Sequence, residues 1–486
     1  MNSLKKVLAV ALCAMMVLAL TACGNKDKDG NVTIKLTRAT FNCVPDSGQV
    51  KKVEDAINKY LKDKGKSYKV EITEIASDEY TDKAKLKLTN KEINLLWTAA
   101  WESGIGTNDL VPANSVKDIT KLLEGTDLYK SMDAGQWEAT KYDGKNYFIP
   151  VYKDNVEGYD LMFRDAALGG FDTTSVKKLS DLEPLLASAK AAGMSHPFLT
   201  QKTAMFYRFY IDKFDFFTAD SASNWVSVKR DTNEVVCTID QPEYAEYCKL
   251  MGKWAELGYI NETEATKTTD ENMTKSQNWA VSWWTDVPVN AEASSRYEQA
   301  VTLQNLTKRW AHSTSALGSC YCITANTDDE TAKACIDFMG LLYTDSKLAD
   351  IYTFGIEGED FKYDSNKQVE KIKDAKYNHS MWESASATVV TPEQGEPADK
   401  AALYKTFNGG AETSIAAGFR FDMSKVEAQY TACKAVFDEY GFVLENGGVK
   451  ESEVDAKIAA YKKALKDAGL DDVIAEFTAQ YNAFKK

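Results

Sequence analysis

Residues 32–36 read VTIKL and residues 68–75 read YKVEITEI, and these two segments decide the fold class. Both alternate apolar and polar side chains, which is the pattern of a β-strand with one buried face. Residues 49–64, between them, carry apolar side chains at helical spacing. The charged segment 78–88 is also helix-like, and 93–96 is a short apolar strand. This alternation predicts an α/β fold with mainly parallel sheets and helices on their faces.

The N-terminus has the features of an export signal that ends at a modified cysteine. A basic pair precedes an apolar run over residues 7–20, which is too short for a stable membrane span. The run ends at Leu20-Thr21-Ala22-Cys23, which resembles a bacterial lipoprotein signal. We therefore expect a signal peptide over 1–22, lipidation of Cys23 and a flexible tether over 23–30. An ordinary secretory signal with an incidental cysteine is the alternative.

Composition and motifs narrow the classes of function. The net charge of −14 argues against nucleic acid and anionic membrane surfaces as partners. The length suits two or three domains, or one large two-lobed body. The three histidines are far apart, and neither an HExxH zinc motif nor a nucleophile elbow occurs. The missing motifs argue against zinc and nucleophile-elbow chemistry; that the chain has no cofactor, no metal and no enzymatic activity is a prediction that rests mainly on the resemblance given next.

Five stretches then occur in an order that carries a family resemblance. They are Asp143–Pro150 (DGKNYFIP), Phe163–Asp165 (FRD), Thr324–Thr327 (TANT), Tyr352–Glu359 (YTFGIEGE) and Gly418–Asp422 (GFRFD). With the lipoprotein signal, this order resembles the extracellular solute-binding proteins of ABC importers, in the sugar-binding branch that includes maltose-binding protein. The GIEG segment and the helical C-terminal tail resemble a lipoprotein subgroup of these binders. The segment Trp97–Asn108 departs from that subgroup, so the ligand of relatives does not transfer.

The resemblance implies a two-lobed periplasmic-binding-protein-like fold of type II, with the ligand cleft at the hinge. The first lobe would hold 31–150 and 305–350, and the second 151–304 and 351–486, including the helical tail. Lobe closure on the ligand is a hinge motion known for this class. The implied partners are a carbohydrate, expected to be an oligosaccharide, and the membrane subunits of an ABC permease. The chain would be a monomer, anchored by Cys23 to the outer face of the bacterial cytoplasmic membrane.

The expected cleft chemistry follows from the ligand. Sugars offer apolar C–H faces to aromatic rings, and their hydroxyl groups need paired donors and acceptors. Candidates therefore lie where a strand ends, after the hinge-like proline or in the GIEG segment. The expected ligand-binding residues are Trp97, Trp101, Tyr152, Asp154, Asn155, Trp283, Trp284, Asp286, Tyr352 and Phe354. Neighbouring residues of a strand point oppositely, so one of Trp283 and Trp284 is expected to face the cleft.

Other interpretations stay open at this point. Trp97, Trp101 and Trp284 could pack in a core instead of contacting a ligand. A peptide- or amino-acid-binding transport lipoprotein would need a fixed charge pair for the ligand termini. A surface glycan-degrading enzyme would need two suitably placed carboxylates, and the 72 acidic residues can always supply a pair. A structural surface adhesin would show no stabilisation by a small ligand.

Overall fold

The computed structural model describes residues 30–216, 225–267, 271–289, 291–311 and 315–485. The expected signal peptide, Cys23 and the tether up to residue 29 lie outside the described residues. Across the part of the chain that is described, helices long and apolar enough to cross a membrane are absent.

The first lobe is built on a five-stranded sheet. In spatial order its strands are Tyr68–Ala76, Val32–Thr40, Leu95–Thr98, Cys320–Ile323 and Phe148–Pro150. The first two come from the segments whose alternation predicted strands and the third from the short apolar run at 93–96, and the three are mutually parallel. Around this core the helices are Ser47–Asp63, Ser77–Thr89, Thr107–Leu110, Thr120–Leu123, Asp127–Lys130, Ala134–Ala139, Asp329–Leu342, Ser346–Phe354 and Lys400–Gly409. Short hairpins join Lys141–Tyr142 to Lys145–Asn146 and Phe361–Tyr363 to Val369–Lys371.

The second lobe has a four-stranded sheet and a large helical layer. Its strands, in spatial order, are Val301–Asn305, Tyr159–Arg164, Trp279–Thr285 and His196–Phe198. A smaller antiparallel sheet joins Phe214–Asp215, Val226–Lys229 and Glu234–Cys237. The helices are Glu183–Ala191, Phe206–Tyr210, Pro242–Glu256, Glu271–Lys275, Ala291–Arg296, Glu427–Glu445, Val454–Asp467 and Leu470–Phe484.

Both sheets are mixed, whereas the sequence predicted mainly parallel sheets. Cys320–Ile323 runs antiparallel to both of its neighbours in the first lobe. Tyr159–Arg164 is antiparallel to both of its neighbours in the second lobe. Each of these strands enters its lobe from the other lobe, so its direction is set by the crossing and not by a βαβ unit.

The chain crosses between the two hydrophobic cores three times. The crossings fall between Tyr152 and Tyr159, between Trp310 and Leu317, and between Tyr404 and Ala416. Backbone hydrogen bonds join the three crossing segments side by side. Glu157 and Trp310 exchange two N–H···O bonds of 2.8 Å, the Glu412 N–H donates to the Arg309 carbonyl at 2.9 Å, and the Ser414 N–H donates to the Ala311 carbonyl at 3.0 Å. These three segments are called the crossing ladder below.

The third crossing moves one expected lobe boundary. Residues 351–404 were expected in the second lobe, but they pack in the core of the first. Tyr352 shows why: its hydroxyl lies 2.9 Å from the Tyr321 hydroxyl, and the Arg38 guanidinium lies 4.5 Å from its ring centroid. Only after Tyr404 does the chain return to the second lobe, where the tail helices complete the core.

A candidate ligand-binding cleft between the lobes

A cleft of about 690 Å³ opens between the two cores, and both lobes line it. The first-lobe wall includes Phe41, Asn42, Trp101 and Trp382. The second-lobe wall includes Thr200, Gln201, Thr203, Trp283, Trp284 and Tyr297. This volume falls within the range of small-molecule sites, and the lining mixes aromatic rings with hydrogen-bonding groups.

Aromatic rings form two layers on the first-lobe wall. Trp101 lines the cleft and is 40% exposed, and its Nε1–H donates to the Gly318 carbonyl at 2.6 Å. Phe41 contacts Trp101 and Trp382 with ring centroids 5.9 and 4.9 Å apart. Trp97 lies beneath all three rings, at 5.4 to 6.4 Å. Trp97 is completely buried and does not line the cleft, which corrects the expectation of direct ligand contact. It supports the wall from below.

Both tryptophans at the end of strand Trp279–Thr285 reach the cleft. Trp283 and Trp284 are half-buried, and each lines it. The Arg208 guanidinium lies 3.8 Å from a ring centroid of Trp283, and the Tyr297 ring meets Trp284 at 5.4 Å. The expectation that only one of them faces the cleft does not hold, because the strand ends at the cleft and both of its faces border it.

The four lysines that line the cleft are paired with four carboxylates, and Arg296 lines it as well. Each lysine that lines it lies close to a carboxylate that also lines it. The pairs are Lys153–Asp154 at 3.1 Å, Lys275–Glu298 at 3.2 Å, Lys371–Glu393 at 3.0 Å and Lys400–Glu396 at 2.6 Å. The cleft therefore presents many hydrogen-bonding groups with little net charge.

Of the three expected residues after Pro150, one lines the cleft and two do not. Asp154 lines the cleft and pairs with Lys153. Asn155 is buried away from it, where its Nδ2–H donates to Gln136 at 2.9 Å and its backbone N–H donates to Asn408 at 2.9 Å. Tyr152 is buried as well, and burial raises the pKa of its hydroxyl. Tyr152 and Asn155 hold the start of the first crossing instead of lining the cleft.

Asp286 has a structural role in the second lobe. The Arg309 guanidinium donates to both of its carboxylate oxygens, at 2.5 and 3.2 Å, and Asn305 donates at 2.8 Å. Asp160 lies beside it, and burial together with the charge of Asp286 raises the pKa of Asp160 to about 7. Asp286 is buried and does not line the cleft.

The two expected residues of the GIEG segment are also core residues. Tyr352 and Phe354 are buried in the first lobe, and neither lines the cleft. Phe354 packs against Phe361 with ring centroids 5.8 Å apart.

A buried charged network fixes the wall segment that carries Trp382. His379 Nε2 lies 2.8 Å from the Glu74 carboxylate, and its Nδ1 lies 3.5 Å from Glu383. Arg38 lies 3.8 Å from the same Glu74 carboxylate, and all four side chains are buried. Burial and Arg38 lower the pKa of His379, but the two carboxylates outweigh them and the net pKa is raised.

Sequence reasoning missed several cleft residues. Phe41, Thr200, Gln201 and Tyr297 lie outside the motifs that carried the resemblance. Trp382 lies in the short 3₁₀ helix Met381–Glu383, and the adjoining His379 is held by Glu74, about 300 positions away in sequence. Its residue type was the only available signal. Within the described ranges, clusters of three or more side chains suited to a metal ion are absent.

The fold and the cleft define a two-lobed solute receptor, and comparison with known proteins agrees. The chain belongs to the bacterial extracellular solute-binding proteins, whose family model matches residues 55–358. A second model, for a domain of unknown function, matches residues 415–486. The chain is similar to a carbohydrate ABC transporter substrate-binding protein of Streptococcus pneumoniae serotype 4, with 24% identity over 76% of each chain.

Solved structures share the whole architecture. The N-glycan transport solute binding protein from Streptococcus pneumoniae matches with a TM-score of 0.80, at 21% identity, over 93% of this chain and 98% of that one. The same protein in complex with Man5GlcNAc gives a TM-score of 0.70, at 20% identity over 93% and 98% of the two chains. A human-milk-oligosaccharide-binding protein from Bifidobacterium longum infantis matches at 0.63, with 14% identity, over 94% and 100%. These likenesses confirm the predicted two-lobed α/β fold.

Proposed function

We propose that this protein captures an uncharged oligosaccharide in the cleft between its lobes and delivers it to an ABC importer. The observation that carries the proposal is the pair of aromatic walls. Trp101 and Trp382 face the cleft from the first lobe, and Trp283 and Trp284 from the second. Closing the lobes would bring rings onto both faces of a bound sugar chain.

The charge balance supports an uncharged ligand. A peptide receptor needs a cation and an anion free to meet the ligand termini, but the cleft lysines are already paired with carboxylates. Breaking such a pair to bind a charged ligand would leave one charge without its partner, which is costly in a closed cleft. Sugar hydroxyls can instead hydrogen-bond to the pairs as they stand. Asp154 is the acceptor that both the sequence and the position favour.

Similar proteins point in the same direction. The curated relative is a carbohydrate ABC transporter substrate-binding protein, and one similar structure carries Man5GlcNAc. We extend the proposal to the rest of the assembly: lipidation at Cys23, a monomeric receptor, and delivery to permease subunits. The receptor releases its sugar chemically unchanged.

Binding to defined ligands tests the proposal. The chain without residues 1–23 is titrated with Man5GlcNAc, maltotetraose, lacto-N-tetraose, a uronate oligosaccharide and a tetrapeptide. We expect at least one neutral oligosaccharide to bind with a Kd of about 10 μM or tighter and to change tryptophan fluorescence. At a hundredfold excess over Kd it should stabilise the fold by about 2.7 kcal/mol. Tight binding of the peptide alone would overturn the proposal, and so would sugar hydrolysis seen by chromatography.

A further inference from the structure

The segment Thr200–Phe206 forms part of the second-lobe wall in a strained conformation. Thr200, Gln201 and Thr203 line the cleft. Gln201 and Lys202 have φ angles of +53° and +50°, in the left-handed region that side chains other than glycine rarely adopt. Strain of this kind persists only where surrounding contacts hold the backbone in place.

Buried Glu264 holds the first half of this segment. Its carboxylate accepts the backbone N–H of Thr200 at 2.7 Å and that of Gln201 at 2.5 Å. The Lys202 N–H donates to the Glu264 backbone carbonyl at 2.6 Å, and His196 Nδ1 contacts the same carboxylate. All of these contacts lie within the second lobe.

The C-terminal domain of unknown function, residues 415–486, holds the second half. Glu445 is the last residue of helix Glu427–Glu445, and its carboxylate accepts the backbone N–H groups of Met205 at 2.9 Å and Phe206 at 3.1 Å. The next residue, Asn446, donates from Nδ2 to the Thr203 carbonyl at 2.9 Å. Glu445 and Asn446 are both buried.

A short helix links the Glu445 carboxylate to an aromatic ring of the cleft wall. Helix Phe206–Tyr210 begins at the residue that Glu445 holds, and it carries Arg208. The Arg208 guanidinium lies 3.8 Å from a ring centroid of Trp283, which lines the cleft. Glu445 therefore fixes both the strained segment and the helix that supports Trp283.

Packing alone does not account for a carboxyl group at this position. Burial raises the pKa of Glu445 to about 7, against the opposing effect of the Phe206 and Met205 N–H groups. Burying an ionisable group opposes folding, and an apolar residue would close a helix end against a core at lower cost. The hydrogen bonds that the Glu445 carboxylate accepts come from the wall segment and from the Tyr244 hydroxyl at 3.4 Å.

We propose that the C-terminal domain positions the second-lobe ligand wall, with Glu445 and Asn446 as its positioning residues. The domain is then part of the binding site without lining it. This inference rests on the proposed function only for the identity of the ligand, since the geometry of the wall segment can be measured without one.

Hydrogen exchange of the ligand-free chain tests the positioning directly. Glu445→Leu removes both acceptor oxygens at similar side-chain size. Leu465→Ala is the matched control, because Leu465 is fully buried in the same domain and packs among its helices. At a temperature where circular dichroism shows both variants folded, we expect faster exchange over 200–206 in Glu445→Leu than in Leu465→Ala. Equal protection of this segment in the two variants would overturn the inference.

The Kd for an oligosaccharide tests whether the positioning of the wall segment contributes to ligand binding. For Man5GlcNAc, or lacto-N-tetraose if the wild type binds only that sugar, we expect Glu445→Leu to raise Kd by roughly 2- to 30-fold, as for mutations that act through a coupled element. Leu465→Ala should leave Kd unchanged although it lowers the melting temperature. Glu445→Gln keeps one acceptor oxygen and should restore much of the affinity.

Two further outcomes are distinguishable. Loss of protection over 200–206 with an unchanged Kd would overturn the role in binding. A wild-type chain that binds neither sugar refutes the proposed function, while hydrogen exchange still decides whether the domain positions the wall. Should Glu445→Leu not fold, Asn446→Ala takes its place. This variant removes only the hydrogen bonds from Asn446 Nδ2 to the backbone carbonyl groups of Thr203 and Phe442. Unaltered exchange in Asn446→Ala would then overturn the inference.

Discussion

Replacing Trp101 by alanine should weaken ligand binding strongly. Trp101 lines the cleft and is 40% exposed. A tryptophan side chain offers up to about 250 Å² of surface, so about 100 Å² is available to a ligand. At about 25 cal/mol per Å², covering that area contributes at most about 2.5 kcal/mol, or close to 70-fold in Kd.

The observed loss should be smaller than this ceiling, because a ligand covers the ring incompletely and pays for its own ordering. We expect Trp101→Ala to raise the oligosaccharide Kd by roughly 10- to 70-fold, measured by calorimetry. The matched control is Tyr129→Ala. Tyr129 is an aromatic residue of the same lobe, 38% exposed, that does not line the cleft.

Thermal unfolding separates a binding role from a packing role. The Trp101→Ala and Tyr129→Ala variants should show similar losses of melting temperature, because the two side chains are covered to a similar extent, whereas only the first should lose affinity. Trp97→Ala should instead lose roughly 3–5 kcal/mol of stability, because it empties a fully buried site. A Trp101→Ala variant that binds within twofold of the wild type would refute the reasoning from exposed ring area.

Three further predictions concern stability. Because the pKa of His379 is raised in the folded state, the stability that its protonated ring contributes is complete below about pH 6.5 and is lost as pH rises through the folded-state pKa. His379→Gln should therefore flatten this decline of the free energy of unfolding, measured in urea between pH 5.5 and 8. Asp160 keeps its proton up to about pH 7 in the folded state, so stability falls as pH rises from about 4 to 7. Asp160→Asn should therefore be more stable than the wild type at pH 8, by on the order of a few kcal/mol, and an equal difference at pH 4 would contradict this account. Gly252→Ala would place a Cβ 2.5 Å from the Val449 carbonyl oxygen and should cost about 1–3 kcal/mol, whereas Gly135→Ala, with open space around it, should not destabilise in the same chemical-denaturation assay.

The regular elements were predictable from sequence because their periodicity is strong and local. The expected strands at 32–36 and 68–75 are found within Val32–Thr40 and Tyr68–Ala76, and the helix expected over 49–64 is Ser47–Asp63. Tyr68–Ala76 and the helix each bury mainly one face, as their side-chain periodicity predicted, whereas Val32–Thr40 is buried on both faces except at Lys35.

The cleft was only partly predictable, because local pattern does not decide which side of a wall a ring occupies. Trp97 and Trp101 follow the same strand and are of the same type, yet one lies under the wall and the other on its surface. Trp382 belongs to a short 3₁₀ helix whose position is set through His379 by Glu74, a residue far away in sequence. Asp286 looked like a sugar acceptor until its partner, Arg309, was known.

The crossing ladder has a mechanical consequence for capture. Hydrogen bonds between neighbouring extended segments strongly resist sliding along the strands, but they yield to flexing across them. With the segments around Glu157, Trp310 and Glu412 bonded side by side, sliding of one lobe past the other would break these hydrogen bonds, whereas a change in the angle between the lobes need not. We therefore expect lobe closure on a ligand to bring Trp101 and Trp283 together in the same register each time.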